Sequence, residues 1–387
     1  MLQLKLKLYL KSLNQMADDS NWYKIENISK LDSPALVVYR ERVRENIRQL
    51  KKMIDDPRRL RPHIKTNKSE DVAKLMIDKG IQKFKCATIA EAEMLGISKA
   101  ADVLLAYQPL GPKLLRFIQV IQKYPDTTYS ALVDNISAAN EMSDALSKAK
   151  MKLNVFVDLN VGMNRTGISP DEKALELYLH CSRLKRIRPV GLHAYDGHLR
   201  NPNINIRKAD CDQAFALVES LKEKIVASGL PEPIIVAGGS PTFPIHAGRS
   251  TVECSPGTFI YWDKGYLEAC PEQPFIPAAL VVTRVISLPD ATKLCLDLGH
   301  KSIAAENELS RRVFFLNAPQ LKTVSQSEEH LVVEAGMSHQ FKVGDVLYGL
   351  PIHICPTVAL YERAYVVEKN RVKGEWKTIA RDRKINV

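Results

Sequence analysis

From Ser33 onward, short runs rich in β-branched residues alternate with longer amphipathic stretches, and this alternation constrains the fold more than any other feature of the chain. Eight runs read as strands: residues 35–39, 60–65, 83–88, 103–107, 129–133, 153–159, 189–195 and 234–237. The stretches between them carry helical periodicity, as in residues 43–54, with Val43, Ile47, Leu50 and Ile54, and residues 214–225, with Leu217, Leu221 and Ile225. Eight strands separated by helices predict an α/β fold, a (β/α)8 TIM-type barrel; a doubly wound open sheet shares the local pattern.

After about residue 271 the texture changes. Residues 278–286, 293–297, 331–334, 346–349 and 364–368 are short, β-rich and divided by turn residues, which predicts a smaller C-terminal β domain. The organisation expected is therefore an N-terminal extension at 1–30, the barrel at 31–270 and the β domain at 271–387. The two prolines of Cys270-Pro271-Glu272-Gln273-Pro274 suit a linker. Residues 1–15 alternate Leu with Lys or Gln without an acid, and Met16 offers an alternative start.

Composition narrows the function classes. At 45% hydrophobic and 26% charged residues the chain is of ordinary globular type. Its net charge of +11 is scattered through helical patterns with no aromatic-interleaved basic stripe, so nucleic acid is not expected as a partner. Some attraction for anionic small molecules is. No apolar run approaches the ~20 residues of a membrane span. Seven widely spaced cysteines without a CxxC pair fit a reducing compartment, hence a cytoplasmic location.

Within this frame, Arg61-Pro62-His63-Ile64-Lys65-Thr66-Asn67-Lys68 sets a lysine at the end of a strand, the end that faces the active site in a barrel enzyme. A partly desolvated amine there can attack carbonyl carbon. Gly238-Gly239-Ser240 closes the eighth run, and Pro256-Gly257-Thr258 follows it; glycines let backbone N–H groups approach an anion, while the hydroxyls add donors. Gly162 and Gly167 bracket a tight loop carrying Arg165, whose rigid guanidinium fork suits oxygen acceptors or pairing with Asp158. Tyr195-Asp196-Gly197-His198 crowds polar groups at another strand end. In Pro351-Ile352-His353-Ile354-Cys355-Pro356-Thr357 an extended segment would project His353 and Cys355 to one face, an imidazole and a thiolate suited to zinc. Ser327-Glu328-Glu329-His330 adds acids and a histidine to be assigned to the same cleft.

In this order, these motifs resemble the D-threonine aldolase and D-serine dehydratase family, over about residues 30–385. The resemblance implies a pyridoxal-phosphate enzyme with an alanine racemase-like (fold type III) barrel and a head-to-tail homodimer. It implies Lys65 as the Schiff-base lysine, with His63 and Arg165 in the catalytic group. Tyr195, His198, Gly238, Gly239, Ser240, Gly257 and Thr258 would line the cofactor, Arg165 would lie near its phenolic oxygen, and His353 and Cys355 would hold a divalent metal, zinc or manganese. Asn67 stands where the family would have a histidine. The activity implied is that of a lyase on small D-β-hydroxy-amino acids, foremost D-threonine aldolase, giving glycine and acetaldehyde. His-x-Cys favours zinc-dependent D-serine dehydratase as the alternative, giving pyruvate and ammonia. An amino-acid racemase ranks lower, since the metal pair has no use there, and a cofactor-holding protein ranks lower still, since it needs no β domain.

Overall fold

A computed structural model of the chain describes residues 21–387, so most of the expected extension, with Met16, lies outside the described residues. The strands are β1 (Ala35–Tyr39), β2 (Lys83–Cys86), β3 (Asp102–Leu105), β4 (Thr128–Val133), β5 (Leu153–Leu159), β6 (Ile187–Ala194), β7 (Ile234–Ala237), β8 (Val252–Cys254), β9 (Ala279–Ser287), β10 (Lys293–Leu296), β11 (Val313–Phe315), β12 (Lys322–Gln326), β13 (Leu331–Glu334), β14 (Val346–Pro351), β15 (Arg363–Glu368) and β16 (Arg371–Lys377). Strands β2 to β8 pair in sequence order as a parallel sheet, and the helices between them cover its outer face. The sheet closes through residues 60–63, which are not a regular strand: Leu60 bridges Cys254 on one side and His63 bridges Lys85 on the other, both in parallel. The bonds Arg61 N–H to Cys254 O (2.8 Å), His63 N–H to Pro256 O (3.0 Å) and Lys85 N–H to Pro62 O (2.9 Å) complete the circle. The fold is thus a (β/α)8 barrel with one irregular stave, followed by a β domain.

Two strand expectations are corrected here. Residues 35–39 form β1, but β1 lies in the second sheet, between β9 (antiparallel) and β15 (parallel). All five of its residues are buried, Leu36 and Val38 against the barrel cluster and Ala35, Val37 and Tyr39 against the cluster on the other side. An unbroken apolar run reads the same in either setting. The barrel strand the sequence hid is β8, only three residues long with Glu253 at its centre.

Glu253 is inside because the barrel needs it. Alternation turns Arg61, Lys83, Asp102 and Glu253 inward at the N-terminal end of the barrel. Arg61 is 1% exposed; its Nε bonds Glu253 Oε2 (2.7 Å) and its Nη1 and Nη2 bond both oxygens of Asp102 (2.5 and 3.1 Å). Lys83 also pairs with Glu253. Above this ionic group Leu104, Leu132, Phe156 and Val236 fill the interior. Towards the C-terminal end the inward residues become polar again: His63, Lys85, Asp158 and His193.

The second sheet runs β12-β13-β10-β9-β1-β15-β16, with β14 joining β9 to β11. The five expected β-rich segments are all found, to within one or two residues at their ends, as β9, β10, β13, β14 and β15; β11, β12 and β16 are additional. The helix expected at 43–54 runs Arg40–Lys52 and buries Val43, Ile47 and Leu50. That expected at 214–225 extends over Ile204–Ala227, where Val218, Leu221 and Ile225 face the barrel and Leu217 faces solvent. The linker is tied to the barrel: buried Arg207 pairs with Glu272, and Gln273 Nε2 donates to Ser240 O (2.8 Å).

Removing Arg61 leaves Asp102 without its partner and Glu253 with Lys83 alone. Arg61→Met is expected to cost about 2–4 kcal/mol, the upper range being moderated by the partial exposure of Asp102. The shift of the urea midpoint at unchanged slope measures it.

Candidate active site

Residue Lys65 sits at the C-terminal mouth of the barrel, one turn beyond the strand-like segment and not on it. The ring of His63 causes this: its Nδ1 accepts the backbone N–H of Lys65 (3.2 Å) and so starts the 3-10 turn Ile64–Thr66. His63 itself is 8% exposed, and burial, with the charges of Lys65 and Lys85, holds its pKa well below the usual histidine value. With that nitrogen occupied and the ring neutral, His63 is placed to orient Lys65. Asn67, also buried, accepts the N–H of Ser69 (3.1 Å) and belongs to the following helix start.

Tyr195, just past β6, gathers the charges of the site. Lys65 Nζ lies 5.9 Å, Lys85 Nζ 5.3 Å and Arg165 Cζ 5.2 Å from its ring centroid. Among the described residues none of the three cations has a carboxylate within ion-pair distance. Asp158, the alternative partner for Arg165, is instead 2.7 Å from His193 Nδ1. Three cations about one ring, without a counter-charge, make a basin for a multiply charged anion.

The two glycine loops meet beside it. Ser240 Oγ accepts the N–H of Thr258 (3.1 Å) and lies 3.4 Å from the N–H donor of Gly257, which joins the loops. A Cβ on Gly239 would stand 3.1 Å from the Tyr195 ring, and one on Gly257 3.1 Å from His63 O, so a side chain at either position would press on the site. Gly238 adopts φ +78°, and a Cβ there would meet His246 at 2.8 Å. Ser255, following β8, has a buried hydroxyl that meets no hydrogen-bond partner within the protein.

Behind the first loop is a buried group whose ligand atoms lie within 4.8 Å of one another and could hold a metal: Asp196, Cys211 and His246. Hydrogen bonds already engage these atoms. His246 Nδ1 faces Arg249 Nη1 (2.8 Å), which leaves the ring proton on Nε2, directed to Asp196 Oδ2 (2.8 Å). Burial pushes the Cys211 thiol up to about 12. Thr242 donates to Asp196 Oδ1 (2.7 Å) and accepts from Gly239 N–H (3.3 Å), so the group braces the loop against the strand end that carries Tyr195.

His353 and Cys355 come together, but not on an extended segment. β14 ends at Pro351, and Ile354–Leu360 is a helix that His353 precedes, because the buried carboxylate of Asp263 accepts the N–H of Ile354 (2.9 Å). Glu306 Oε1 is 2.5 Å from His353 Nδ1, which leaves Nε2 as the nitrogen that could bind a metal once the ring gives up its proton. Burial opposes the charge of His353, yet the contacts with Cys355 and Glu306 raise its pKa to about 9. Burial would raise the Cys355 thiol, but His353 and Lys65 pull it below its usual value. Cys355 Sγ is 3.2 Å from Thr66 Oγ1, next to Lys65. The Ser327–His330 motif, by contrast, is an exposed turn between β12 and β13 whose acids pair with Lys301, and no described contact joins it to His353. His198 is exposed at the mouth, its Nε2 2.8 Å from where a Gly162 Cβ would stand.

Sequence reading missed Lys85, His193 and Glu306. Alternation along β2 and β6 was the available signal for the first two; for Glu306, which lies in a loop, there was none.

A barrel with a cationic mouth, capped by a β domain that brings a histidine and a cysteine beside the mouth lysine, matches known families. The chain belongs to the family described as alanine racemase, N-terminal domain, which covers residues 38–264; residues 278–367 match the putative serine dehydratase domain. It is 26% identical over 360 residues to "D-threonine aldolase" of Arthrobacter sp, covering 92% of this chain and 94% of that one. To "D-threo-3-hydroxyaspartate dehydratase" of Delftia sp. (strain HT23) it is 24% identical, covering 87% and 94%. Among solved structures, D-threonine aldolase from Filomicrobium marinum superposes with a TM-score of 0.81 at 23% identity, covering 90% of this chain and 95% of that one.

Pyridoxal phosphate fits the residues present. The cations around Tyr195, which have no carboxylate partner, suit an anionic cofactor, and the buried Ser255 hydroxyl meets no partner within the protein. Thr242→Val should lower stability by about 1–3 kcal/mol, because Asp196 and Gly239 N–H each lose a buried partner. It should also weaken pyridoxal-phosphate affinity, read as a right-shifted absorbance titration.

Proposed function

We propose that the protein is a pyridoxal-phosphate- and metal-dependent lyase acting on D-β-hydroxy-amino acids, with aldol cleavage of the D-threonine type as its reaction. The observation that carries this reading is the contact of Cys355 with Thr66, which brings the candidate metal pair beside the candidate cofactor lysine. The lysine would hold the cofactor that takes up a substrate's amino group, and an ion at the neighbouring pair would hold the hydroxyl on the adjacent carbon. Full-length likeness to aldolases and dehydratases supports the class.

In this reading Lys65 would hold the cofactor through its aldehyde, His63 holds the Lys65 turn, and Arg165 would be the cation for the phenolic oxygen. The two loops, Gly238, Gly239 and Ser240 with Gly257 and Thr258, would flank the phosphate, and the unpartnered hydroxyl of Ser255 would donate to it. Tyr195 and His198 would line the cofactor pocket, His198 from its exposed side. His353, oriented by Glu306, and Cys355 as thiolate would hold zinc or manganese. When bound, pyridoxal phosphate supplies an electron sink for the substrate's α-carbon, and the metal acidifies the β-hydroxyl or polarises it as a leaving group. The second outcome is dehydration, which the cysteine ligand favours as the alternative. A cytoplasmic homodimer remains part of the proposal; no helix among the described residues is long and apolar enough to cross a membrane, and all seven cysteines are unpaired.

Purified protein loaded with pyridoxal phosphate is expected to convert D-threonine to glycine and acetaldehyde. Chelation should remove most of the turnover, restored by zinc or manganese. Pyruvate from D-serine in place of acetaldehyde would move the assignment to dehydratase, and no turnover of either D-amino acid would overturn it. Lys65→Ala should abolish the visible band of the bound cofactor, while binding of its phosphate survives.

A further inference from the structure

The inner face of β2 carries Lys85, which is 2% exposed. A lysine this deep is ordinarily matched by a carboxylate, since an unpaired buried ammonium is costly. Lys85 has none within ion-pair distance among the described residues; its Nζ lies 3.4 Å from Nε2 of His193. Asp158, 2.7 Å from the other ring nitrogen, fixes the tautomer: the proton is on Nδ1, and the lone pair of Nε2 points at Lys85. Asp158, His193 and Lys85 therefore form a chain, directed from β5 through β6 to β2 and ending below the ring of Tyr195.

The surroundings act on this amine from every packed element. Burial pushes Lys85 down to about 7, and Lys65 and Arg61 add to the effect, while Asp196 and Asp158 oppose it. From the closing segment it also faces the neutral His63, and from the end of β6 it faces Tyr195. Burial and Lys85 likewise lower the pKa of His193. Lys85 is thus the interior cation whose proton is easily exchanged at neutral pH, and it shares one aromatic ring with Lys65 and Arg165.

We propose that Lys85 is a second working amine of the cofactor pocket, exchanging a proton with the bound cofactor and substrate while His193 and Asp158 hold its geometry. In that exchange an Nζ–H bond breaks with its electron pair left on nitrogen, the proton passes to a basic atom of the ligand, and the reverse transfer restores the ammonium. No oxidant or second reagent is required. The inference rests on the cofactor reading above.

Lys85→Met keeps the stem and removes the charge; Lys85→Arg keeps the charge and removes the titration. The holoprotein without substrate is titrated over about pH 6 to 10, following the visible band of bound pyridoxal phosphate. Removing a neighbouring positive charge favours the protonated imine, so the midpoint of Lys85→Met should lie about one pH unit or more above that of Lys85→Arg, with the wild type between them because Lys85 titrates in the same range. Should Lys85→Met fail to fold, lysine-selective NMR of the wild-type holoprotein serves instead. A lysine signal that titrates below about pH 9 and moves on cofactor binding supports the proposal, and its absence overturns it. A band that forms normally with coincident Lys85→Met and Lys85→Arg midpoints overturns the role of Lys85 alone. A protein that forms no band with pyridoxal phosphate overturns the cofactor reading as well.

Discussion

The structure depends on one buried cation. Arg61 lies on the segment that closes the barrel without regular strand pairing, and it reaches Glu253 on one side and Asp102 on the other. Few backbone bonds hold this stave, so side-chain charge takes over part of the work of a ladder. The position of Lys65 follows from it: four residues after Arg61 the chain has left the barrel wall and turned on the His63 ring. A buried arginine with two acids is a poor source of net stability, yet it specifies register strongly, because any slip would strand a charge. The stave that carries the candidate nucleophile is therefore fixed at its root and free to turn at its tip.

Polar groups in the barrel interior are divided between two ends with Leu104, Leu132, Phe156 and Val236 between them. The lower set is fully matched, acid to base. The upper set is not: Lys65, Lys85 and Arg165 surround Tyr195 with no acid of their own. This asymmetry separates structural charge from functional charge within a single fold. The Asp196–His246–Cys211 group belongs to the structural kind, since its members satisfy one another and brace the loop at Gly239.

Much of this was legible in the sequence, and the failures have physical causes. Alternating β and helical periods disclosed the barrel, and the change of texture after residue 271 disclosed the β domain. β1 was misplaced because a strand buried on both faces has no alternation to reveal which sheet it joins. β8 was overlooked because three residues with a central glutamate do not look like a strand until Arg61 is placed opposite. The glycine loops and the His353–Cys355 pair were visible because their chemistry is local. Lys85 and Glu306 were not, since their meaning comes from residues 108 and 47 positions away along the chain.

The position of β1 has a consequence for the architecture as a whole. It is encoded before the barrel, yet it lies between β9 and β15, which are encoded after it. The barrel is thus threaded into the middle of another sheet, and a fragment starting at the linker would lack an inner strand and expose two apolar faces. The two halves cannot be exchanged as separate modules, and the second sheet can assemble only once the chain has been synthesised nearly to its end.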